Sequence, residues 1–176
     1  MNNNDSQTPS NLVTAYHKMM TRVKEALSHA GETTLKQHIE NAKEKAVELE
    51  ELSREEAQRI SDYLRKDLQD AAEFIITTEQ ALTDWMRFDL ELIEEQFLDL
   101  FSVMVDHTKV ELENLAECAR QATEWYAGEI TGPGTLQCDN CGKQLHFHHP
   151  DYIPPCPNCS AVLFKRQFDE IEQNNE

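Results

Sequence analysis

The sequence predicts a mainly α fold, a long helical hairpin or small antiparallel helical bundle, with a β ribbon at the C-terminal end. Three observations lead there. No glycine or proline occurs between Gly31 and Gly128, a span rich in Glu, Leu, Ala, Gln and Lys, all of which favour helix. Apolar residues in that span recur three and four apart, the spacing of one helical face. Beyond Gly128 the composition shifts to Pro, Cys, His and aromatics, and four cysteines stand in two close pairs.

Residues 1–9 are polar and read as a disordered lead. Ser10 or Asn11 caps a first helix, because a short polar side chain accepts from orphan N–H groups. Leu12, Tyr16, Met19, Met20, Val23 and Leu27 share its apolar face, and Gly31 ends it. Thr33 or Thr34 starts a second helix with Leu35, Ile39, Ala42, Ala46 and Leu49 on one side. Ser53 followed by Glu56 matches a capping box and opens a third helix through Ala57, Ile60, Leu64, Leu68, Ala71 and Ile75. Thr77 and Thr78 are weak helix formers where a break is allowed.

From about Thr83 to Ala127 the pattern resumes. Trp85, Phe88, Leu92, Gln96, Leu100, Val103, His107, Val110, Asn114, Cys118, Gln121 and Trp125 form a narrow seam with polar members. A helix of that length runs ~65 Å and needs a partner helix, as in a coiled coil. An intrachain antiparallel hairpin and a homodimer satisfy the seam equally well. Gly128 ends the helical domain, assigned to residues 10–128. Gly132-Pro133-Gly134 reads as a turn between modules, across which few contacts need pass. The ribbon takes residues 129–168, and 169–176 form an acidic, Asn-rich disordered tail.

The ribbon carries the chemistry. Its pattern is Cys138-x2-Cys141-x14-Cys156-x2-Cys159. Two residues between cysteines let a tight turn aim both sulfurs at one metal, and two such turns complete a zinc tetrahedron. A pair of disulfides is the competing reading, and a reducing compartment opposes it. One structural Zn²⁺ held by Cys138, Cys141, Cys156 and Cys159 is therefore expected. Leu136 leads into the first knuckle, Gly142 follows it, and Pro155 and Pro157 stiffen the second. Leu145 and Phe147 alternate on one strand, and Val162, Phe164 and Phe168 line the last. So few apolar residues do not fold a short segment unaided, whereas metal binding contributes about 10–16 kcal/mol in comparable peptides.

Charge narrows the partners. With 16 Lys+Arg against 33 Asp+Glu the formal net charge is −17, which repels nucleic acid and anionic lipid. The N-terminus lacks the basic start and apolar core of a signal peptide, and no apolar run approaches the ~20 residues of a membrane span. A soluble, cytoplasmic protein is expected.

Read from Tyr126 through Gly132-Pro133-Gly134 to Cys138, then Ile153-Pro154-Pro155-Cys156-Pro157-Asn158-Cys159 and Phe164-Lys165-Arg166, the chain resembles the YbeL-like family of bacterial zinc-ribbon proteins. The resemblance implies an acidic helical protein with a C-terminal ribbon. It supplies no catalytic residues and no established biochemical function. Ser160 stands where such knuckles commonly carry Gly.

Other candidates read as structural. His146, His148 and His149 lie between the knuckles, beyond a set of four thiolates that already saturates a zinc. No histidine has a Glu three residues before it, so the usual helical di-iron motif is absent. Cys118 falls on the apolar seam as a small hydrophobe. Lys143, Lys165 and Arg166 with Phe147 and Tyr152 are a thin basic, aromatic set. The expected role is a non-enzymatic interaction or adaptor protein with an unidentified protein partner. A nucleic-acid-associated or transcription-related ribbon protein is the alternative.

Overall fold

Thr34 and Ser53 decide where two of the helices begin. The computed structural model describes residues 9–28, 34–78, 95–114 and 124–167. The Gln37 backbone N–H donates to Thr34 Oγ1 at 3.3 Å, and Thr34 N donates back to Gln37 Oε1 at 3.3 Å. Ser53 and Glu56 repeat the arrangement at 3.2 and 2.9 Å. Each reciprocal pair satisfies two donors that a helix start otherwise leaves open. Helices α2 (Leu35–Glu48) and α3 (Arg54–Thr78) follow these caps. Helix α1 (Pro9–Ser28) begins ahead of the expected Ser10 or Asn11 cap. Proline at a first helical position forfeits only an N–H that would have no partner there. Helix α4 spans Glu95–Asn114.

Between α2 and α3 the chain reverses through a Schellman turn. Glu51 N donates to Ala46 O at 3.1 Å, Glu50 N donates to Val47 O at 3.0 Å, and Glu50 sits at φ +55°. Leu49, expected on the buried side of α2, caps the helix and is 51% exposed.

The four described helices pack around one apolar core. Tyr16, Met19, Met20 and Val23 come from α1, Leu35, Ile39, Ala42 and Ala46 from α2, and Ala57, Ile60, Leu64 and Leu68 from α3. These are the stripes that the helical spacing predicts. Helix α4 departs from its expected seam. It buries Phe101, Met104 and Val105, leaves Leu100 and Val103 half-buried, and exposes His107 and Val110. Phe101, Met104 and Val105 form their own i, i+3, i+4 set, and that set has no polar member, whereas the expected seam required Gln96 and His107. Trp85, Phe88, Leu92, Cys118 and Gln121 lie outside the described residues.

The expected continuation of helix to Ala127 is also corrected. Glu124–Tyr126 is strand β1. The remaining strands are β2 (Ile130–Thr131), β3 (Gly134–Cys138), β4 (Gln144–Phe147), β5 (Asp151–Tyr152) and β6 (Leu163–Arg166). They form a four-stranded antiparallel sheet in the order β1-β6-β3-β4 and a small β2-β5 pair. Trp125 stands opposite Phe164, so the boundary expected at Gly128 falls inside the sheet. Trp and Tyr pack well on a pleated surface, and the helical phase of Trp125 with the preceding seam is coincidental.

Trp125, Leu136, Phe147, Ile153 and Phe164 make a second core together with Cys138 and Cys156. Val162, expected inside the last strand, precedes β6 and is 52% exposed. Phe168 lies outside the described residues. The ribbon is seated on the helices: Ile130 joins the helical core and Tyr152 packs against it. The Gly132 junction is packed rather than loose. A Cβ built there would lie 3.4 Å from Tyr16 Oη and 3.5 Å from the Asp67 carboxyl group. No described helix is long and apolar enough to cross a membrane.

Candidate metal centre

Each pair of cysteines sits in the same kind of turn. After β3 the Gly142 N–H donates to Cys138 O at 2.9 Å, and Cys138 N donates to Lys143 O at 2.9 Å. In the second turn Ser160 N donates to Cys156 O at 2.8 Å, and Cys156 N donates to Ala161 O at 2.9 Å. Both turns need a residue at positive φ just after the second cysteine. Gly142 supplies it at +72° and Ser160 at +59°.

The turns face one another. All four Sγ atoms lie within 4.8 Å of each other. Cys138 Sγ is 3.6 Å from Cys159 Sγ, and Cys141 Sγ is 3.6 Å from Cys156 Sγ. A tetrahedron of sulfurs ~2.3 Å from a central zinc has edges of ~3.8 Å. A disulfide would bring two sulfurs to ~2.05 Å. The spacing therefore fits a shared metal, and the donor set is the soft, closed four-thiolate set of structural zinc. Cys138 and Cys156 are buried, Cys159 is half-buried and Cys141 is exposed.

A family model described as a zinc-ribbon containing domain matches residues 21–168. The chain belongs to this zinc-ribbon family. It is also 27% identical over 157 residues to the protein described as uncharacterized protein YbeL in three strains of Escherichia coli, covering 86% of this chain and 93% of the relative. No solved structure matches.

Electrostatics favour the thiolate at two sulfurs of this zinc-ribbon protein, Cys141 and Cys159. A hydrogen bond from the Asn158 side chain, then one from the Lys143 backbone, holds the Cys141 thiol down to about 6. The Asn140 side chain lowers Cys159 in the same way. Burial pushes Cys138 up to about 11. A buried thiolate at Cys138 therefore needs a cation beside it, and a bound metal deprotonates such a ligand outright.

The other sequence candidates do not converge. His146 Nδ1 bonds Thr135 Oγ1 at 3.0 Å, and His149 Nδ1 lies 3.2 Å from Pro150 O. These histidines border a shallow cavity of about 270 Å³ on the ribbon surface. Among the described residues, the four cysteines are the one group placed to share a metal.

Sequence reasoning missed a polar cluster between ribbon and helices. Helix α3 carries Tyr63, Lys66, Asp67 and Asp70 at helical spacing, a stripe that reads as a solvated face. In the fold it meets the ribbon. Arg166 Nη2 donates to Asp67 Oδ1 at 2.6 Å, and Arg166 Nε lies 3.4 Å from Asp70 Oδ2. Trp125 Nε1 donates to Asp70 Oδ2 at 2.8 Å. Asp67 also accepts from Tyr16 Oη at 2.8 Å, Thr131 Oγ1 at 2.9 Å and Gly132 N at 2.7 Å. Lys66 bridges to Glu129 at 2.8 Å and stands 4.9 Å from the centre of the Trp125 ring. The Asp67 and Arg166 side chains are 0% and 2% exposed. Burial raises the Asp67 pKa to about 6, against the lowering effect of Arg166 and the three other donors.

Proposed function

We propose that this is a zinc-binding, non-enzymatic adaptor. Its helices, arranged as an antiparallel bundle, dock a protein partner, and the ribbon serves as a second recognition module. The observation that carries the reading is the four-sulfur set. One zinc held by Cys138, Cys141, Cys156 and Cys159 has no open position for water or substrate, so its role is structural. The acidic surface, at a formal net charge of −17, favours a basic protein face over nucleic acid or anionic membrane, consistent with a cytoplasmic setting.

A nucleic-acid-associated ribbon is the second reading, and the side chains weaken it. Lys165 is engaged by Asp139 at 2.6 Å, Arg166 is buried against α3, and Phe147 is buried. Residues 131–168 hold three basic and two acidic side chains, a formal +1, and a Zn²⁺ with four thiolates adds −2, leaving −1.

Crosslinking and mass spectrometry of the tagged full chain in its own host tests the assignment. The expected result is a protein crosslinked through lysines of α1 and α2 that survives nuclease treatment. Crosslinks that map to the ribbon and vanish with nuclease would favour the second reading.

A further inference from the structure

We propose that zinc loading of the ribbon and packing of the helical core are one coupled equilibrium, with Arg166 and Trp125 as the residues that connect them. The inference rests on the four cysteines holding zinc.

The connection runs through strand register. Cys138, at the end of β3, is paired with Phe164 of β6, and Leu136 is paired with Arg166. Phe164 is in turn paired with Trp125 of β1. Two residues along β6 from the position opposite Cys138, Arg166 reaches into α3 and meets Asp67 and Asp70. Across the sheet, Trp125 donates to the same Asp70. On the helical side Asp67 also ties Tyr16 of α1 and the Gly132 backbone. One buried carboxylate thus joins α1, α3 and the ribbon.

Without metal the ribbon core is small, and two of its buried members, Cys138 and Cys156, are themselves ligands. Such a set does not hold its strands in register unaided. When β6 and β1 lose register, Arg166 and Trp125 leave α3. Either Asp67 and Asp70 then stay buried without their cation, or the interface opens and wets Tyr16 and Ile130, which are 0% exposed when docked. Both routes loosen the helices. Linkage makes the effect reciprocal: holding β6 on α3 preorganises Cys138, so docking tightens zinc binding by the same factor.

The test uses the full chain under reducing conditions, with zinc content confirmed at the outset. Amide hydrogen exchange is followed before and after zinc removal by a chelator. The expected result is that α1 and α3 lose protection by about tenfold or more together with β3 and β6. Loss confined to the ribbon, with α1 and α3 unchanged within about twofold, overturns the coupling. Arg166→Met is then titrated with Zn²⁺ against a chromophoric chelator, and its zinc affinity is expected to fall by about tenfold or more. An affinity equal to wild type overturns the role of Arg166. If that variant does not fold, the wild-type exchange experiment decides. Absence of zinc from freshly reduced wild-type protein would instead remove the four-cysteine reading itself, and the coupling with it.

Discussion

Ser160 occupies in the second knuckle the place that Gly142 occupies in the first. Both follow the second cysteine of a pair, both donate their N–H to the carbonyl of the first, and both sit at positive φ, +59° and +72°. A residue with a Cβ is strained there by roughly 1 kcal/mol, which glycine avoids. Ser160 is exposed, so its hydroxyl contributes no core packing. Ser160→Gly is expected to stabilise the ribbon by about 1 kcal/mol. Chelator competition should show tighter zinc retention, and looser retention would mean that the serine side chain makes a contact worth more than the strain.

Metal content is the direct check on the centre. Purified, reduced protein should contain one zinc per chain. Cys156 is buried, and Cys156→Ser replaces a thiolate by a poor zinc ligand in the tetrahedron. Elemental analysis should find most of the zinc gone from that variant. Iron in the wild type, or full zinc occupancy in the variant, would contradict the assignment.

The two parts of the molecule were not equally legible in the sequence. The clustering of the four cysteines was, because a zinc tetrahedron fixes the spacing of its ligands locally and two Cys-x2-Cys pairs carry that spacing unaided. The helix start at Ser53 was legible for the same reason, since a capping box is complete within four residues, whereas the start of α2 was narrowed only to Thr33 or Thr34. The seat of the ribbon was not. Asp67 and Asp70 are ordinary members of a polar helical face until Arg166, 99 residues from Asp67, arrives to pair with them. Trp125 likewise reads as the last member of a helical seam until Phe164 stands opposite it. The α4 face failed for a different reason: two apolar stripes compete on that helix, and packing bulk at Phe101 and Met104 chooses between them.

The close approach at Gly132 separates a packed junction from a flexible one. A methyl group there meets Tyr16 Oη at 3.4 Å and Asp67 at 3.5 Å, which is ordinary contact. Gly132→Ala should therefore fold with a stability change within about 1 kcal/mol of wild type. Gly132→Val adds two more carbons where Asp67 and Tyr16 already lie, and should cost about 1–3 kcal/mol. Thermal unfolding of the two variants measures the difference. Equal tolerance of both side chains would mean that the junction opens freely.

The buried cluster should also leave a signature in the pH dependence of stability. Asp67 is raised from 3.8 to about 6, chiefly because burial disfavours its charge, while Arg166, Tyr16, Gly132 and Thr131 pull the other way. With Asp67 protonated, Arg166 is left to balance Asp70 alone; with Asp67 ionised, the three groups carry one excess negative charge. A folded pKa above the unfolded one means that the folded state holds the extra proton between about 4 and 6. Asp67 therefore adds stability as pH falls through about 6, in full below its unfolded value, and that contribution is lost as pH rises. Between pH ~7.5 and ~5.5 the gain from this one group is roughly 1 kcal/mol. Asp67→Asn cannot titrate, so it should lack the gain whatever its absolute stability. Urea unfolding of both proteins with zinc in excess, at those two pH values, isolates the contribution of Asp67 as the difference between their slopes. Identical slopes would show that Asp67 stays ionised throughout, held by Arg166 and its three other donors against the cost of burial.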